Sequence, residues 1–519
     1  MDTEPRLDSE PRLSADATVG LFWGFAALHF ALWLIVCWFT QPNMPLDMVE
    51  MLYWGQQWEL GYHKHPPLPA WIAAATWWLG GGQTLLMYCV SQLTIVATFW
   101  AVWQLAREGL SPWAALCSVV LLQGCYYCTF SISDINNTII TRPFWALAVL
   151  FLYRALGRGS TATKNLNWLL TGLMIGLGMN SKYYIGILVL SMLAVPVLIP
   201  KTRPSLKTAG PYLLTATALL VFVPHFIWMV QNDFITISYV FQRGESGEGG
   251  SESGMLKHLL APFKFIGSQF GAFVPMLVLA TPMLVHRKRR EQSKGDANGD
   301  GHSFFHKYVT IIFFGPIAIY VVLSLAMGVS IRSMWGGPLF SFFGVWLFSR
   351  FELPADRTKV NKILRDSIII GLCMLAGLAI KNVVGPGVRD KLSRVHFPGV
   401  EAAEKIDELW RSQIGGEFNS VGGDMFMAAS VSAYTPRHVD VYADLAPDIC
   451  PWIVEEEFRS QGAVVVWEVT EDDPSPPPEW LARFPTSKVL PPIELKSRAW
   501  SGPRDVKVGL MFISPSSRQ

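Results

Sequence analysis

The chain has 519 residues, of which 51% are hydrophobic and only 16% are charged. Soluble domains carry about a quarter charged residues, so this composition argues against a soluble protein and predicts a polytopic membrane protein, mainly α. The formal net charge of +2 gives no indication of a nucleic-acid partner. The seven cysteines show neither zinc-site spacing nor a disulfide framework.

Residues 1–18 are polar and mixed in charge, without the basic start of a signal peptide. The first apolar segment is therefore expected to remain as an anchor. A spanning helix needs about 20 mostly apolar residues, and about eleven segments within residues 19–386 meet that requirement. They are 19–39, 83–106, 112–131, 136–156, 165–181, 183–200, 208–229, 260–285, 307–328, 331–350 and 366–386.

Alternate loops carry the positive charge. They contain Arg107; Arg154, Arg158 and Lys164; Lys201, Arg203 and Lys207; the run HRKRREQSK (286–294); and Arg350, Arg357, Lys359, Lys362 and Arg365. Because cytoplasmic loops are enriched in Lys and Arg, we expect these loops and the tail 1–18 in the cytoplasm and the loop 40–82 outside. An odd number of spans places the C-terminus outside too, in the periplasm if the membrane is a bacterial inner membrane.

The first outer loop contains LDMVEMLYWGQQWELGYHKHPPLPAW (46–71). If its start is helical, Asp47 and Glu50 share one face, with Trp54 one turn further on. Two close carboxylates beside an apolar wall raise the pKa of one of them, which suits a general base. A solvated first turn of an interfacial helix explains the acids equally well, and spacing alone leaves both interpretations open.

The Pro-rich stretch HKHPPLPAW (63–71) predicts a turn followed by a short interfacial helix. Lys64 and His65 are candidates for holding an anionic headgroup. Ordinary snorkelling of a basic residue to the membrane surface is the alternative, and it is favoured when this stretch is taken alone.

Further charged residues lie at predicted outer turns. Asp134 precedes the fourth span and is a candidate because ionisable groups at membrane depth are costly; a helix cap by Asp134 or Ser133 is the alternative. Lys182 interrupts an apolar stretch, either to bind a lipid phosphate or as a surface turn residue. His225 and Arg332 occupy two more outer turns. Together with the acids, these groups suggest a site for an anionic substrate.

From about residue 387 the hydropathy falls. Helix-like stretches (VEAAEKIDELWRSQ and DMFMAASVSAYT) alternate with strand-like ones (HVDVYAD, AVVVWEV and VKVGLMFI). This alternation predicts a small extracytoplasmic α/β domain over residues 387–519, with DDPSPPPEW as a Pro-rich linker inside it.

The chain resembles the GT-C membrane glycosyltransferases, in particular the group of the protein O-mannosyltransferases and the lipid A aminoarabinose transferase. The resemblance rests on Asp47, on HPPL (65–68), on Asp134 in SDINNTIITRPFWAL and on Lys182 in GLMIGLGMNSKYY; IWMVQNDF and SMWGGPLF add to it. Many members have adjacent Asp-Glu where Met48 follows Asp47 here. Some place Lys directly before Pro-Pro, where this chain has His65 preceded by Lys64, so which of the two contacts phosphate stays open.

The resemblance implies transfer of a sugar from a polyprenyl-phosphate donor to a lipid, glycan or protein acceptor at the outer face, with inversion. It makes Asp47 the base, accompanied by the acids Glu50 and Asp134. The leaving phosphate needs cations rather than a general acid. The expected substrate-binding residues are Lys64, His65, Lys182, His225, Arg332, Trp54 and Tyr62.

No cofactor is expected. A divalent metal at Asp47, Glu50 and Asp134 is conceivable, but no metal motif indicates one. The competing function is a transporter or flippase of lipid-linked sugars, which would usually show two related halves, and none is visible. The tail is expected to cover the outer mouth of the cleft and to help select the acceptor.

Overall fold

The computed structural model describes residues 15–245, 255–285, 288–289, 297–327, 332–352, 357–470, 475–503 and 505–515. Most of the predicted cytoplasmic tail lies outside these ranges, as do most of the basic run 286–294 and the start of the Pro-rich linker.

Fourteen helices make up the described membrane part and its loops. They are α1 (Ala15–Thr40), α2 (Leu46–Gly55), α3 (Leu68–Leu79), α4 (Thr84–Arg107), α5 (Pro112–Val120), α6 (Asn137–Leu156), α7 (Thr161–Met179), α8 (Ile185–Leu198), α9 (Gly210–Gln231), α10 (Ile235–Glu245), α11 (Met255–Val285), α12 (Ala297–Met327), α13 (Phe343–Arg350) and α14 (Arg357–Val383). Two short strands, β1 (Lys288–Arg289) and β2 (Phe351–Glu352), pair with each other in antiparallel orientation.

Seven of these helices in the described part are long and apolar enough to cross a membrane: α1, α4, α6, α9, α11, α12 and α14. An eighth span results if α8 is counted together with the 3-10 helix Pro200–Lys207, from which it is bent by 108°. The chain is therefore an integral membrane protein, and in its described part length and composition support seven or eight spans, against the eleven segments predicted.

Two of the predicted spans are interrupted. In 112–131, α5 ends at Val120 and continues as the 3-10 turns Leu121–Gly124 and Tyr126–Cys128. A side chain at Gly124 would overlap the backbone of Pro275 and Met276, so α11 approaches this break closely. In 331–350, Gly337 and Pro338 separate the 3-10 turn Ser333–Gly336 from a second 3-10 turn, Leu339–Phe342, which leads directly into α13, as expected where Pro follows two glycines. The predicted span 165–181 is α7, a continuous helix of 19 residues that is less apolar than the seven.

The C-terminal part contains a five-stranded sheet with helices around it. Its elements are α15 (Gly385–Arg389), α16 (Gly399–Gln413), β3 (Ser420–Gly423), α17 (Met425–Tyr434), β4 (Asp440–Ala443), α18 (Glu455–Gln461), β5 (Ala463–Glu468), α19 (Pro478–Arg483), β6 (Lys488–Lys496) and β7 (Asp505–Ile513). The strand order is β4-β3-β5-β7-β6; β3 pairs in parallel with β4 and β5, and the β5–β7 and β6–β7 pairs are antiparallel. The predicted fold class, a helical membrane bundle with a small C-terminal α/β region, is confirmed.

The α/β region lies directly on the first outer loop. Helix α17 packs on α2, and the Gln57 side-chain amide donates a hydrogen bond to Asp440 Oδ1 at 2.8 Å. Trp452 meets the ring of Tyr62 edge-on, with centroids 6.0 Å apart. Residues 48–55 of α2 are consequently buried between the α/β region and the membrane part.

Candidate active site

The predicted helix at the start of the first outer loop is α2, and it places Asp47 and Glu50 one turn apart. Helix α2 ends at Gly55, where any side chain would overlap the carbonyl oxygen of Ala70 in α3. This close crossing fixes the position of α2. The loop then turns back through a pair of backbone hydrogen bonds between Tyr62 and His65, just before the two prolines.

A cavity of about 380 Å³ opens beside the acidic face of α2. It is bordered by α2, the HKHPP loop, the N-terminus of α6, the turn after α7, and α10, α12 and α17. The polar and aromatic lining residues are Asp47, Glu50, Lys64, His65, Asn136, Asn137, Thr138, Lys182, Tyr183, Tyr184, Tyr239, Tyr320, Arg332 and Trp335. The cavity thus brings together charged and imidazole groups from three separate parts of the sequence: Asp47, Glu50, Lys64 and His65 of the first outer loop, then Lys182, then Arg332.

Glu50 is held in an ion pair. Lys64 Nζ lies 2.6 Å from Glu50 Oε1 and rests near the rings of Trp54 and Tyr239, at 5.9 and 6.0 Å from their centroids. Burial raises the pKa of Glu50, although Lys64 opposes that effect. Burial also acts to lower the pKa of Lys64, but the Glu50 carboxylate outweighs it and the net shift is upward. Glu50 is therefore occupied in fixing Lys64, and it is not the solvated first-turn acid of the alternative interpretation.

Asp47 differs from Glu50 because it forms no ion pair with any residue of the described chain. Burial raises its pKa, and this effect is opposed by the charges of Lys182, Lys64 and Arg394 and by the side chain of Asn136. A carboxylate with a raised pKa that lines a cavity and has cations nearby but none bound to it is well suited to accept a proton.

Asp134 does not line the cavity, but it contacts Asn136, which does. Its Oδ1 accepts a hydrogen bond of 2.7 Å from the Asn136 amide, while Asn136 Oδ1 caps α6 by accepting from the backbone of Thr138 and Ile139. The alternative interpretation of Asp134 or Ser133 as the helix cap is thus wrong; Asn136 is the cap. Burial, and then the charge of Asp47, raise the pKa of Asp134 well above its ordinary value. Its carboxyl group accepts the hydrogen bond that positions Asn136.

Lys182 is buried at the cavity wall, which excludes the alternative of a surface turn residue. Its ammonium donates to Thr138 Oγ1 at 2.7 Å and lies 5.3 Å from the ring centroid of Tyr184. Burial lowers its pKa to about 8; Asp47 opposes this shift, and the positive charges of Arg142 and Arg332 add to it. Lys182 is therefore charged near pH 7 and close to both arginines.

The other predicted binding residues have different positions. His65 lines the cavity, and burial, followed by the charges of Lys182 and Lys64, keeps its pKa well below the ordinary value, so the ring is neutral. His225 lies outside the lining and joins α9 to the loop: its Nδ1 bonds to the Leu60 carbonyl at 2.7 Å and its Nε2 to the Tyr183 hydroxyl at 2.6 Å.

Trp54 and Tyr62 also lie outside the lining. Their rings stack with centroids 5.3 Å apart and planes 7° apart, fully buried under the α/β region. In this structure they support the loop that carries Lys64. Within the described part of the chain, no group of three or more His, Cys, Asp or Glu is placed to hold a metal ion.

Sequence reasoning missed Arg142. This residue lies in the spanning helix α6 and is 2% exposed, at the edge of a second cavity of about 450 Å³. The available signal was an arginine within the apolar run IITRPFWALAVL, because an ionisable group inside a span is a functional candidate by default. Tyr239 and Met425, which also line the first cavity, had no comparable signal.

The chain is similar to known proteins over most of its length. Residues 64–228 match the family described as dolichyl-phosphate-mannose-protein mannosyltransferase. The chain is 25% identical over 272 residues to the lipid A galacturonosyltransferase RgtD of Rhizobium johnstonii, a match that spans 51% of this chain and 54%, about half, of that relative. It is 23% identical over 367 residues to the lipopolysaccharide core galacturonosyltransferase RgtB of the same organism, covering 69% of this chain and 70% of the relative.

Among solved structures, ArnT from Cupriavidus metallidurans bound to undecaprenyl phosphate matches with a TM-score of 0.61 at 15% identity, covering 96% of this chain and 98% of that chain. Its apo form matches with a TM-score of 0.59 at 13% identity. The fold is thus that of a GT-C membrane protein. Within that class the predicted resemblance is confirmed and is of the ArnT type.

Proposed function

We propose that the protein is an inverting membrane glycosyltransferase. It transfers a sugar from a polyprenyl-phosphate donor to a lipid, glycan or protein acceptor on the outer face of a bacterial inner membrane. The N-terminus is cytoplasmic and the C-terminus periplasmic. The observation that carries the proposal is a carboxylate, Asp47, that has no ion-pair partner among the described residues and shares one cavity with Lys182 and Arg332.

The chemistry assigns one role to each side of the cavity. The acceptor hydroxyl gives its proton to Asp47, its oxygen attacks the anomeric carbon, and the bond from that carbon to the phosphate oxygen breaks. The bonding pair leaves with the polyprenyl phosphate, so negative charge grows there. Lys182 and Arg332 stabilise this growing charge, and no general acid is required. Attack opposite the leaving group inverts the anomeric carbon.

The α/β region contributes to the wall of the cavity, which supports a covering role. Met425, the first residue of α17, lines it, and α17 is held on α2. A cover at this place keeps out water, which otherwise competes with the acceptor for the activated sugar. We therefore extend the proposal to the tail: it limits hydrolysis and helps to select the acceptor.

The relatives narrow the substrates. Two of them are named for transfer of galacturonic acid to lipid A or to the lipopolysaccharide core, and the similar ArnT structure holds undecaprenyl phosphate. We propose the same classes here: a polyprenyl-phosphate uronic-acid donor and a lipopolysaccharide acceptor.

The test uses purified full-length protein in lipid nanodiscs with a radiolabelled polyprenyl-phosphate sugar and lipid A or core oligosaccharide. Wild-type protein should form labelled product, and Asp47→Asn should not. Movement of labelled donor across vesicle membranes without any product would overturn the proposal and favour a flippase.

A further inference from the structure

A second cavity adjoins the first. It has a volume of about 450 Å³ and shares Asn136, Thr138 and Met334 with the first cavity as common walls. A ligand that occupies the first cavity therefore has a neighbouring space into which part of it can extend.

Two polar residues that line this second cavity, Tyr127 and Ser333, are hydrogen-bonded to each other. The Tyr127 hydroxyl donates to the Ser333 carbonyl at 2.6 Å and contacts Gln269 Oε1 at 3.1 Å. The Gln269 amide donates to the same carbonyl of Ser333 at 2.8 Å. These bonds leave Tyr127 and Ser333, which line the cavity, and Gln269, which does not, already engaged.

Arg142 differs from these residues. Its Nε and Nη1 are buried and receive no hydrogen-bond acceptor from the described residues, and its guanidinium lies 6.0 Å from the centroid of the Tyr127 ring. A buried charge with unmade hydrogen bonds is unfavourable until an acceptor arrives. The side chain lines the cavity, so an anion entering it would meet these donors.

The position of Arg142 relates it to the phosphate-binding end of the first cavity. Thr138, which accepts from Lys182, lies four residues before Arg142 in α6. Residues four apart share a helix face, with Cβ atoms about 5–6 Å apart. A sugar attached to a phosphate at Lys182 can thus direct its far end toward Arg142.

We propose that Arg142 binds the carboxylate of the transferred uronic-acid sugar and selects it over the neutral hexose. This rests on the proposed function. The planar guanidinium of an arginine matches a carboxylate in two parallel hydrogen bonds. Lys182 and Arg332 line the first cavity, together with Asp47, and are assigned to the phosphate. Gly337 leaves room beside the guanidinium: a Cβ there would stand 3.3 Å from Arg142 Nη2.

The experiment compares two donors that differ only at C6, polyprenyl-phosphate galacturonic acid and polyprenyl-phosphate galactose. Arg142→Met should lower kcat/KM for the uronyl donor on the order of 10²-fold and change it little for the galactosyl donor. Arg142→Lys keeps the charge but loses the planar guanidinium, so it should show an intermediate loss. Arg154→Met is the matched control, because Arg154 lies on the same helix, paired with Glu108 outside the cavities, and both donors should react normally.

Equal loss for both donors in Arg142→Met would overturn the assignment, as would a wild-type preference for galactose. Weaker binding of sugar-free polyprenyl phosphate in Arg142→Met would also overturn it and identify Arg142 as part of the phosphate site. Calorimetry can compare the Kd of galacturonate 1-phosphate with that of galactose 1-phosphate, and this comparison does not depend on transfer. If no donor reacts, the proposed function fails, and the calorimetric preference and its loss in Arg142→Met still decide the role of Arg142.

Discussion

Replacement of Asp47 by Asn keeps the size of the side chain and removes its ability to accept a proton. A positioned general base typically contributes 10²- to 10⁴-fold to rate, so transfer should fall by about 10²-fold or more. No other carboxylate is expected to take over as the general base. Glu50 Oε1 is paired with Lys64 Nζ at 2.6 Å, and Asp134 does not line the cavity. The double variant with Glu50→Gln should therefore be no slower than Asp47→Asn alone, after correction for any loss of folded protein.

The same change affects Lys182. The Asp47 carboxylate raises the pKa of Lys182 against the effect of burial, which leaves it at about 8. Without Asp47 that pKa falls further, so Lys182 loses its proton at a lower pH. Donor binding by Asp47→Asn should be close to normal at pH 6.5 and weaker than wild type at pH 8.

The assay measures single-turnover transfer and donor Kd separately in nanodiscs. Asp448→Asn serves as the control, because Asp448 is an exposed acid of the α/β region. Turnover of Asp47→Asn within about 3-fold of wild type would refute the base assignment. A large loss of turnover accompanied by an equal loss of donor binding at pH 6.5 would show that Asp47 acts in binding instead.

Three further predictions concern the cavity and its cover. Lys182 has a pKa of about 8, whereas an arginine stays protonated, so Lys182→Arg should retain donor binding above pH 8 where wild type loses it. Donor Kd measured across pH tests this, and a rise in Kd above pH 8 equal to that of wild type would contradict it. Glu50→Gln should lower the unfolding free energy by about 1–3 kcal/mol, since Lys64 loses its charged partner, and thermal unfolding in nanodiscs measures it. Gln57→Ala should loosen the α/β region and raise donor hydrolysis relative to transfer, with donor Kd unchanged; an unaltered hydrolysis ratio would argue against a cover.

Local features of the site were predictable from sequence because they depend on short spacings. The i, i+3 relation of Asp47 and Glu50 and the turn at HKHPP follow from helix period and proline geometry alone. The residues Lys182 and Arg332 were predictable as isolated cations in apolar surroundings, and both line the cavity. Such signals identify which residues matter without giving their contacts.

The contacts depended on long-range packing that no local pattern encodes. Asn136 rather than Asp134 caps α6, a choice that sequence does not reveal because both residue types cap helices; Asp134 instead accepts from the Asn136 amide and does not line the cavity. Strands β3 and β6 were missed because SVGG is short and rich in glycine, and because Pro491 and Pro492 lie within an edge strand. The interrupted spans depend likewise on neighbours, such as the approach of α11 to Gly124.

The charge distribution of the cavity explains why acid and cations are kept separate. During the proposed transfer Asp47 becomes neutral as it gains a proton, and the leaving phosphate gains one negative charge. The total charge of the cavity is unchanged, but negative charge moves from the side of Asp47 to the side of the phosphate.

Lys182, which donates to Thr138 and whose pKa is influenced by Asp47, responds to this movement of charge. Its attraction to Asp47 weakens as its attraction to the phosphate grows. An interaction that strengthens only as the reaction proceeds lowers the barrier, whereas one equally strong in the ground state would only tighten binding. Pairing Asp47 directly with a lysine, as Glu50 is paired with Lys64, would remove that difference.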